Sequence, residues 1–280
     1  IAIIALLIGI LLPALGHARA AARRAACLSN AKQLATASSM YAADHRTEMF
    51  IPTFHPADDN IGWLHPGYIS QPEAALCPST KHTIDPNEML SETFPEFSET
   101  FGKDFLRDLV FNGRDRTDEE GGHSYEVFAW FSPGKFLDGT VIWGLDWGPT
   151  GRQLGWSRRD DAAGLYDNTT EYVLKTMKSV VRPDKTILYL DSDQDDSPFP
   201  GIGNPDGINN WPEAWNNHGE AGLNIGFTDA HASWIKREDL IRTYLESFEE
   251  PPENFEDVSN YRESQYTHRG QRIPWYVEVD

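Results

Sequence analysis

Carboxylate side chains occupy alternate positions at the start of the stretch Asp191-Ser192-Asp193-Gln194-Asp195-Asp196. Alternate oxygen ligands of this kind open the calcium-binding loop of an EF-hand. The rest of that pattern is different here, because Asp196 stands where the loop glycine is expected and Ile202 where the final glutamate is expected. The stretch therefore predicts either a solvated acidic loop or a calcium site, with calcium as the one cofactor, at Asp191, Asp193 and Asp195.

A second group of residues with metal-binding chemistry is His218, Asp229 and His231. Asp229 and His231 are two positions apart and would face the same way on a strand. A hydrolytic zinc site needs three such ligands and an open position for water. The chain has no G-x-S-x-G, H-E-x-x-H or phosphate-loop motif. We therefore expect structural hydrogen bonds from these residues, with a metal site as the alternative, and we expect no enzymatic activity.

Strands and helices must position both groups. An apolar run over 186–190 predicts a strand that leads into the acidic stretch, and residues 217–235 have the pattern of a hairpin. Earlier strands are predicted within 124–131 and 140–147, separated by a turn at Pro133-Gly134. Short helices are predicted over 170–180 and 237–245. The pattern is typical of an α+β fold.

The N-terminal stretch is of a different kind. Residues 1–15 carry no charge and are almost entirely aliphatic, and an alanine-rich segment follows without a helix breaker as far as Tyr41. We predict one helix over residues 1–43, about 65 Å long. A kink or local melting is expected near Gly9–Pro13, because proline removes a helical hydrogen bond and clashes with the preceding turn.

A helix that is apolar on every side must lie in lipid or among other apolar helices. A secretory signal peptide with cleavage near Ala18-Arg19-Ala20 is one interpretation. A membrane anchor is another, although the apolar run is shorter than the roughly 20 residues that cross a bilayer. The favoured interpretation is a helix that packs among copies of itself. Its polymerisation surface would then include Ile1, Ile4, Leu7, Ile8, Leu11, Pro13 and Leu15.

Residues 1–15 and the segment 18–30 resemble the start of mature type IV pilin-like proteins and type II secretion pseudopilins. The similarity is specific over about the first 45 residues. It is strongest to a large-headed branch of that family, which has a C-terminal signature of His, a nine-residue spacer and Asp-Gly. Here the spacer has ten residues, and Ala230 stands where the signature has glycine. Glycine readily adopts a positive φ in a turn, and alanine disfavours that conformation. The signature positions are His218, Asn224, Asp229 and His231.

The resemblance implies a pilin-like fold, in which a helix over residues 1–45 packs on the antiparallel sheet of a large head, residues 46–280. It also implies a structural subunit of an extracellular pilus-like filament or a type II secretion pseudopilus. Such a subunit polymerises with copies of itself, is assembled by inner-membrane machinery, and is embedded in the cytoplasmic membrane before it reaches the cell surface. The family's N-terminal Phe and early Glu are not in this sequence, so we expect residues ahead of Ile1.

The positions of the two cysteines also resemble the family. Cys27 lies on the predicted helix, and Cys77 lies in the segment 75–79. In a protein exported to an oxidising space the resemblance implies a Cys27–Cys77 disulfide. That bond would close a loop of 50 residues and stabilise the fold by roughly 4 kcal/mol in the chain-entropy model. The alternative is two unrelated buried thiols.

The head is strongly acidic. Residues 44–280 hold all 43 acidic side chains and 20 of the 24 basic ones, a net charge of −23. Such a surface repels nucleic-acid phosphates, which excludes nucleic acid as a partner, and it favours contact with cations or with the basic segment of a neighbouring subunit. Two other functions stay open. One is a membrane-anchored surface protein that binds a polysaccharide without polymerising. The other is a secreted hydrolase with a metal at His218, Asp229 and His231.

Overall fold

The computed structural model describes residues 2–46, 48–51, 59–95, 102–113, 121–135, 141–144, 173–191, 217–247, 267–268 and 271–272. In these residues the chain has an α+β fold. One long helix, α1, spans Ala2–Asp44, and it packs on a four-stranded antiparallel sheet. That sheet consists of β1 (Tyr125–Val127), β5 (Ile187–Asp191), β6 (Gly222–Phe227) and β7 (Ala232–Lys236), in the order β1-β5-β6-β7.

The remaining elements are small. β2 (Trp130–Lys135) pairs with β3 (Val141–Gly144) on one side and β4 (Val173–Leu174) on the other. The helix α2 covers Leu240–Glu246, and β8 (Thr267–His268) pairs with β9 (Gln271–Arg272). Short 3₁₀ helices cover 61–64, 72–75, 90–92, 107–109, 219–221 and 237–239.

The predicted long helix is confirmed, but it is not melted near Gly9–Pro13. The helix continues through Pro13 without a break. Proline removes only the hydrogen bond of its own missing N–H, and the bonds of the neighbouring turns hold the backbone helical.

Helix α1 has two parts with opposite surroundings. Residues 2–23 are exposed on every side, with Ile3 74%, Leu6 65% and Leu12 63% exposed. The described members of the predicted polymerisation surface, Ile4, Leu7, Ile8, Leu11, Pro13 and Leu15, are all exposed, and Ile1 lies outside the described residues. From Cys27 onward one face is buried, with residues recurring every three or four positions: Cys27, Ala31, Leu34, Ala35, Ser38, Tyr41 and Ala42.

The buried face of α1 lies on β5, β6 and β7. Small residues allow a close approach: a Cβ atom on Gly226 of β6 would lie 3.1 Å from the Ala31 carbonyl oxygen and 3.3 Å from the Ala35 Cβ. The main hydrophobic core forms between this helix face, the sheet and the 61–77 region, and it includes Leu34, Ile61, Leu64, Tyr125 and Tyr189.

Two sequence predictions about smaller elements are wrong. Pro133 and Gly134 lie inside β2, where they pair with Trp143 and Ile142 of β3, rather than in a turn. The predicted helix over 170–180 is absent from its described part, which holds β4 and a turn at 177–179. In that turn the Thr176 hydroxyl accepts hydrogen bonds from the backbone N–H groups of Lys178 and Ser179, a local bonding pattern that competes with a helix.

Candidate functional site

One face of the sheet, directed at α1, carries the polar residues of the candidate site. Tyr189 of β5 marks this face, because its hydroxyl lies 2.5 Å from Ser38 Oγ on α1. Side chains two positions apart on a strand share a face. Asp191 therefore follows Tyr189 on the helix side of β5, and Asn224 shares the helix side of β6 with Gly226. Tyr125 is the partner of Asp191 in the β1–β5 register.

Asp191 is the centre of the resulting network and is fully buried. Its Oδ1 accepts a hydrogen bond from the backbone N–H of Asn224 at 2.7 Å, and its Oδ2 accepts one from the Asn224 side-chain amide at 2.6 Å. The Cys27 thiol on α1 lies 3.4 Å from the same Oδ2 atom and 3.3 Å from the Tyr125 hydroxyl. The last residue of β5 is thus bonded to both the helix and the neighbouring strand.

Cys77 reaches the network from the loop that follows the 72–75 helix. The loop is anchored on both sides, because the Asn30 side chain of α1 donates to the Leu76 carbonyl at 2.7 Å and Ser124 N–H donates to the Ala75 carbonyl at 2.9 Å. Thr80 donates to the Cys77 carbonyl from its N–H and its hydroxyl. The sulfur is buried and lies 3.5 Å from His218 Nε2.

His218 completes the group from the segment just before β6. Its neighbour Asn217 donates to the Ser124 carbonyl at 3.1 Å, which fixes this segment on the end of β1. The two ring nitrogens have different partners. Nε2 lies 3.0 Å from Asp191 Oδ2, whereas Nδ1 lies 3.3 Å from Ser79 Oγ. The ring also packs perpendicular to Trp234, at 5.5 Å between ring centroids, and the Arg24 guanidinium lies over the Trp234 ring at 4.5 Å.

Four side chains with metal-binding chemistry therefore meet at one point: Cys27, Cys77, Asp191 and His218. Their ligand atoms all lie within 4.8 Å of one another, and the site is the one group of this kind in the part of the chain that the structure describes. Four separate segments supply them: α1, the 76–80 loop, β5 and the lead into β6. The side chain of His218 is 6% exposed and that of Asp191 is fully buried.

The pKa values of the two thiols are shifted in opposite directions. Burial raises the pKa of Cys27 well above its ordinary value, and the neighbouring Cys77 adds to this effect. Burial also acts to raise the pKa of Cys77, but hydrogen bonds with Cys27 and His218 outweigh it and lower that pKa to about 6. For His218 burial acts to lower the pKa, and hydrogen bonds to Asp191 and Cys77 instead raise it to about 10. These directions favour a Cys77 thiolate beside a His218 imidazolium.

A cleft of about 470 Å³ opens beside His218. Its lining combines the exposed part of α1 with the edge of the head and includes His17, Arg23, Arg24, Ser79, His218 and Trp234. Neither cysteine sulfur lines this cleft, and both cysteines are buried. A substrate in the cleft would touch the imidazole and not the thiols, so the thiolate–imidazolium pair is not placed as a nucleophile and base for such a substrate.

Of the three acidic residues predicted to bind calcium, the structure describes Asp191 alone. Both carboxylate oxygens of Asp191 are bonded within the buried network. Asp193 and Asp195 lie outside the described residues. The calcium prediction therefore stays a prediction, and Asp191 is engaged with Cys27, His218 and Asn224.

His218, Asp229 and His231 do not meet, so the alternative of one hydrolytic metal site formed by all three is wrong, and the described polar contacts of these residues are hydrogen bonds. His218 precedes β6 and Asp229 and His231 follow it, and six strand residues span about 17 Å. Asp229 instead accepts from His231, through both the ring Nδ1 and the backbone N–H, within the β6–β7 turn. The His231 ring stacks on Phe227 at 4.2 Å between ring centroids. Ala230, where the family signature has glycine, has a φ of +69°.

Cys27 and Cys77, which the resemblance implied to be a disulfide, are brought together by the fold. Both sulfurs are free thiols in this structure and are within 4.8 Å of each other. The disulfide stays a prediction. Sequence reasoning did not identify Tyr125, Ser79 or Asn217 as members of the network, and nothing in their types or spacing indicates the role, because each is a common residue brought in by tertiary contacts.

Comparisons with protein-family models, with curated proteins and with solved structures found no match to this chain. By length and composition alone, helix α1 is suited to cross a membrane, and its most apolar window is not buried by the head. A signal sequence near an N-terminus shares these properties. The described residues thus form a long N-terminal helix, apolar in its first part, that packs on an α+β head.

Proposed function

We propose that this chain is a pilin-like structural subunit that polymerises through the exposed part of α1 into an extracellular filament or pseudopilus. The observation that carries the proposal is the continuity of α1. The same helix is apolar and exposed over 2–15 and then packs on the head from Cys27 onward, with no linker between the two parts.

A rigid connection suits a polymer better than a simple anchor. In a helical filament every head must have the same orientation relative to the apolar core, and an unbroken helix imposes this orientation. A membrane anchor needs only an apolar span and works equally well through a flexible linker. The segment between the two parts is rich in alanine, and small residues allow helices to approach each other closely.

Charge complementarity also favours contact between copies. The helix carries Arg19, Arg23 and Arg24 near its junction with the head and no acidic side chain before Asp44. The rest of the chain has a net charge of −23. The basic side of α1 and the cleft beside it would meet the acidic head of a neighbouring subunit, and such complementary charges set the register of an interface.

Electron microscopy of material sheared from cells tests the proposal directly. We expect regular fibres whose helical average places the 2–22 segments at the centre and the heads outside. Single heads on membrane fragments would overturn the proposal and favour the anchored, polysaccharide-binding alternative.

Cross-linking in intact membranes or fibres gives an independent test. The double variant Ile4→Cys/Leu15→Cys places two exposed thiols at the two ends of the apolar segment. In a filament an oxidant should produce a ladder of covalent oligomers from the double variant and no species above dimer from either single variant. The same samples dissolved in strong detergent before oxidation are the control and should stay monomeric. Monomers in both samples would contradict the proposal.

A further inference from the structure

We infer that Cys27, Cys77, Asp191 and His218 form a four-ligand structural binding site for Zn²⁺ that ties α1 to the head. Two thiolates, an imidazole and a carboxylate are ligand types that zinc binds in proteins. The sequence analysis assigns the two cysteines to a disulfide, Asp191 to a calcium site and His218 to the family signature. The fold brings all four residues together. The inference concerns metal binding within one subunit and does not rest on the proposed function.

Two of the six distances between the ligand atoms match the edges of a zinc tetrahedron, one is shorter, and all six are at most 4.8 Å. Typical bond lengths of about 2.3 Å to sulfur and about 2.0–2.2 Å to nitrogen or oxygen give ligand–ligand edges of about 3.4–3.8 Å. The structure has 3.5 Å between Cys77 Sγ and His218 Nε2 and 3.4 Å between Cys27 Sγ and Asp191 Oδ2. His218 Nε2 and Asp191 Oδ2 are 3.0 Å apart. A small outward movement of these two atoms would admit the ion.

The surroundings of the ligands fit a structural metal site. A metal-binding histidine is normally oriented by a hydrogen bond at its other ring nitrogen. Here Nε2 faces the other ligands, with the Asn224 side-chain nitrogen also 3.0 Å away, and Nδ1 is held by Ser79 Oγ. Asp191 is oriented in the same way by two hydrogen bonds from Asn224. Four protein ligands leave no open position for water, which is typical of structural rather than catalytic zinc.

A disulfide between the two cysteines explains less of the site. It would use the two sulfurs alone and leave Asp191 and His218 beside the bridge as a buried pair 3.0 Å apart, in which the imidazole compensates the carboxylate. A divalent cation compensates the carboxylate and both thiolates together. The Asn224 amide oxygen is also buried and makes no hydrogen bond to any described residue, so the described residues alone do not close the polar network.

Metal analysis of the full chain, purified in detergent without chelators or added metal, is the first test. The purified chain is then dialysed against a weak chelator, and we expect it to retain one zinc ion per chain. Once the metal is removed in denaturant, the chain should have two free thiols. Chain that carries no zinc but has two free thiols is titrated with Zn²⁺ alone, and binding of one equivalent also supports the site. No binding, or a Cys27–Cys77 disulfide in the native protein, overturns the inference.

Replacement of zinc by Co²⁺ identifies the ligands without a mutation. The cobalt-loaded chain should show thiolate-to-metal charge-transfer absorption and the strong visible bands of a tetrahedral ion. A pale octahedral spectrum without thiolate absorption would exclude the site.

Variants then assign the site to these residues. Cys77→Ser and His218→Gln should lower the affinity for Zn²⁺ by at least about tenfold. Ser79→Ala, which removes only the group that orients His218, should lower it by about tenfold to a hundredfold while the chain still folds. The control is Asp229→Asn/His231→Gln, which removes the same residue types from the opposite end of β6 and should bind zinc like the parent chain. Equal losses in the control and in Ser79→Ala would overturn the assignment.

Discussion

Ala230 has a backbone conformation that alanine rarely adopts. It lies in the turn between β6 and β7 with φ of +69°, where a side chain meets its own backbone. Glycine has no such cost. Ala230→Gly is therefore expected to stabilise the chain by about 1 kcal/mol, measured by chemical denaturation in mild detergent.

The control for this change is Ala26→Gly, at an exposed position in the interior of α1. Glycine in an ordinary helical position destabilises by about 1 kcal/mol relative to alanine, so the two variants should shift stability in opposite directions. Destabilisation by both would show that the turn is not strained at Ala230.

His123 gives the fold a pH dependence. It is fully buried, and burial lowers its pKa to about 3. The unfolded chain binds a proton at His123 near pH 6.5, whereas the folded chain resists protonation until about pH 3. The stability contributed by the neutral form is therefore present above pH 6.5 and falls below it, by up to about 1.4 kcal/mol per pH unit.

Denaturation of the parent chain and of His123→Gln at several pH values between 6.5 and 4 measures this effect. Acidic side chains contribute to the pH dependence of both proteins, so the relevant quantity is the difference between their slopes. The parent chain should lose stability more steeply. Equal slopes would mean that His123 is protonated in the folded state as readily as in the unfolded one.

The members of the candidate site were visible in the sequence, but their grouping was not. Cys27, Cys77, Asp191 and His218 each have a type that indicates chemistry. The sequence groups Asp191 with the acidic residues that follow it. Spacing alone does not show that Asp191 is the last residue of β5 and that its side chain faces α1. His218 was grouped with His231, because the length of β6 that separates them is not apparent until the strand is placed.

For the longer helices and strands, a strong apolar periodicity in the sequence is sufficient for prediction. Helix α1, strand β5, the β6–β7 hairpin and helix α2 follow apolar patterns that local sequence alone determines. The segments at 133–134 and 170–180 were predicted wrongly for physical reasons. Gly134 and Pro133 are placed in β2 by pairing with β3, and β4 has only two residues, too few to have a pattern.

The contact between α1 and β6 depends on Gly226. A Cβ atom there would meet the Ala31 carbonyl oxygen at 3.1 Å and the Ala35 Cβ at 3.3 Å, so backbone and helix would have to separate. Gly226→Val is expected to destabilise the chain by about 1–3 kcal/mol because it overpacks the interface. Thermal and chemical unfolding of the purified chain measure the change.

Gly67→Ala is the matched control, because a Cβ atom at Gly67 would have no neighbour within 4 Å. This variant should unfold like the parent chain. If Gly226→Val were as stable as Gly67→Ala, the helix would not be held at the distance that the structure shows.

The apolar segment of α1 adds no residue to the buried core of the head. The described residues 2–23 are exposed throughout, and Cys27 is the first buried residue of α1. Deletion of residues 1–22 therefore removes no core residue. The shortened chain is expected to fold with the same cooperative unfolding and to be a monomer without detergent, whereas the full chain should require detergent.

Circular dichroism and analytical ultracentrifugation of the shortened chain check this expectation. Loss of cooperative unfolding would show that the apolar segment stabilises the head, and self-association without detergent would show that the head has an interface of its own. Substitution of Leu7 by Ala in the full chain is the companion control, and it should leave the unfolding of the head unchanged.

The unbroken passage of α1 into the head has a mechanical consequence. With no break in α1 between the apolar turns and Cys27, a torque applied to the N-terminal end of the helix is transmitted to the head. An axial pull reaches the sheet as shear spread over the buried face of α1, from Cys27 to Ala42, and the close seat of Ala31 and Ala35 on Gly226 resists sliding. The chain is thus built as a stiff lever, able to transmit force between its apolar segment and its head.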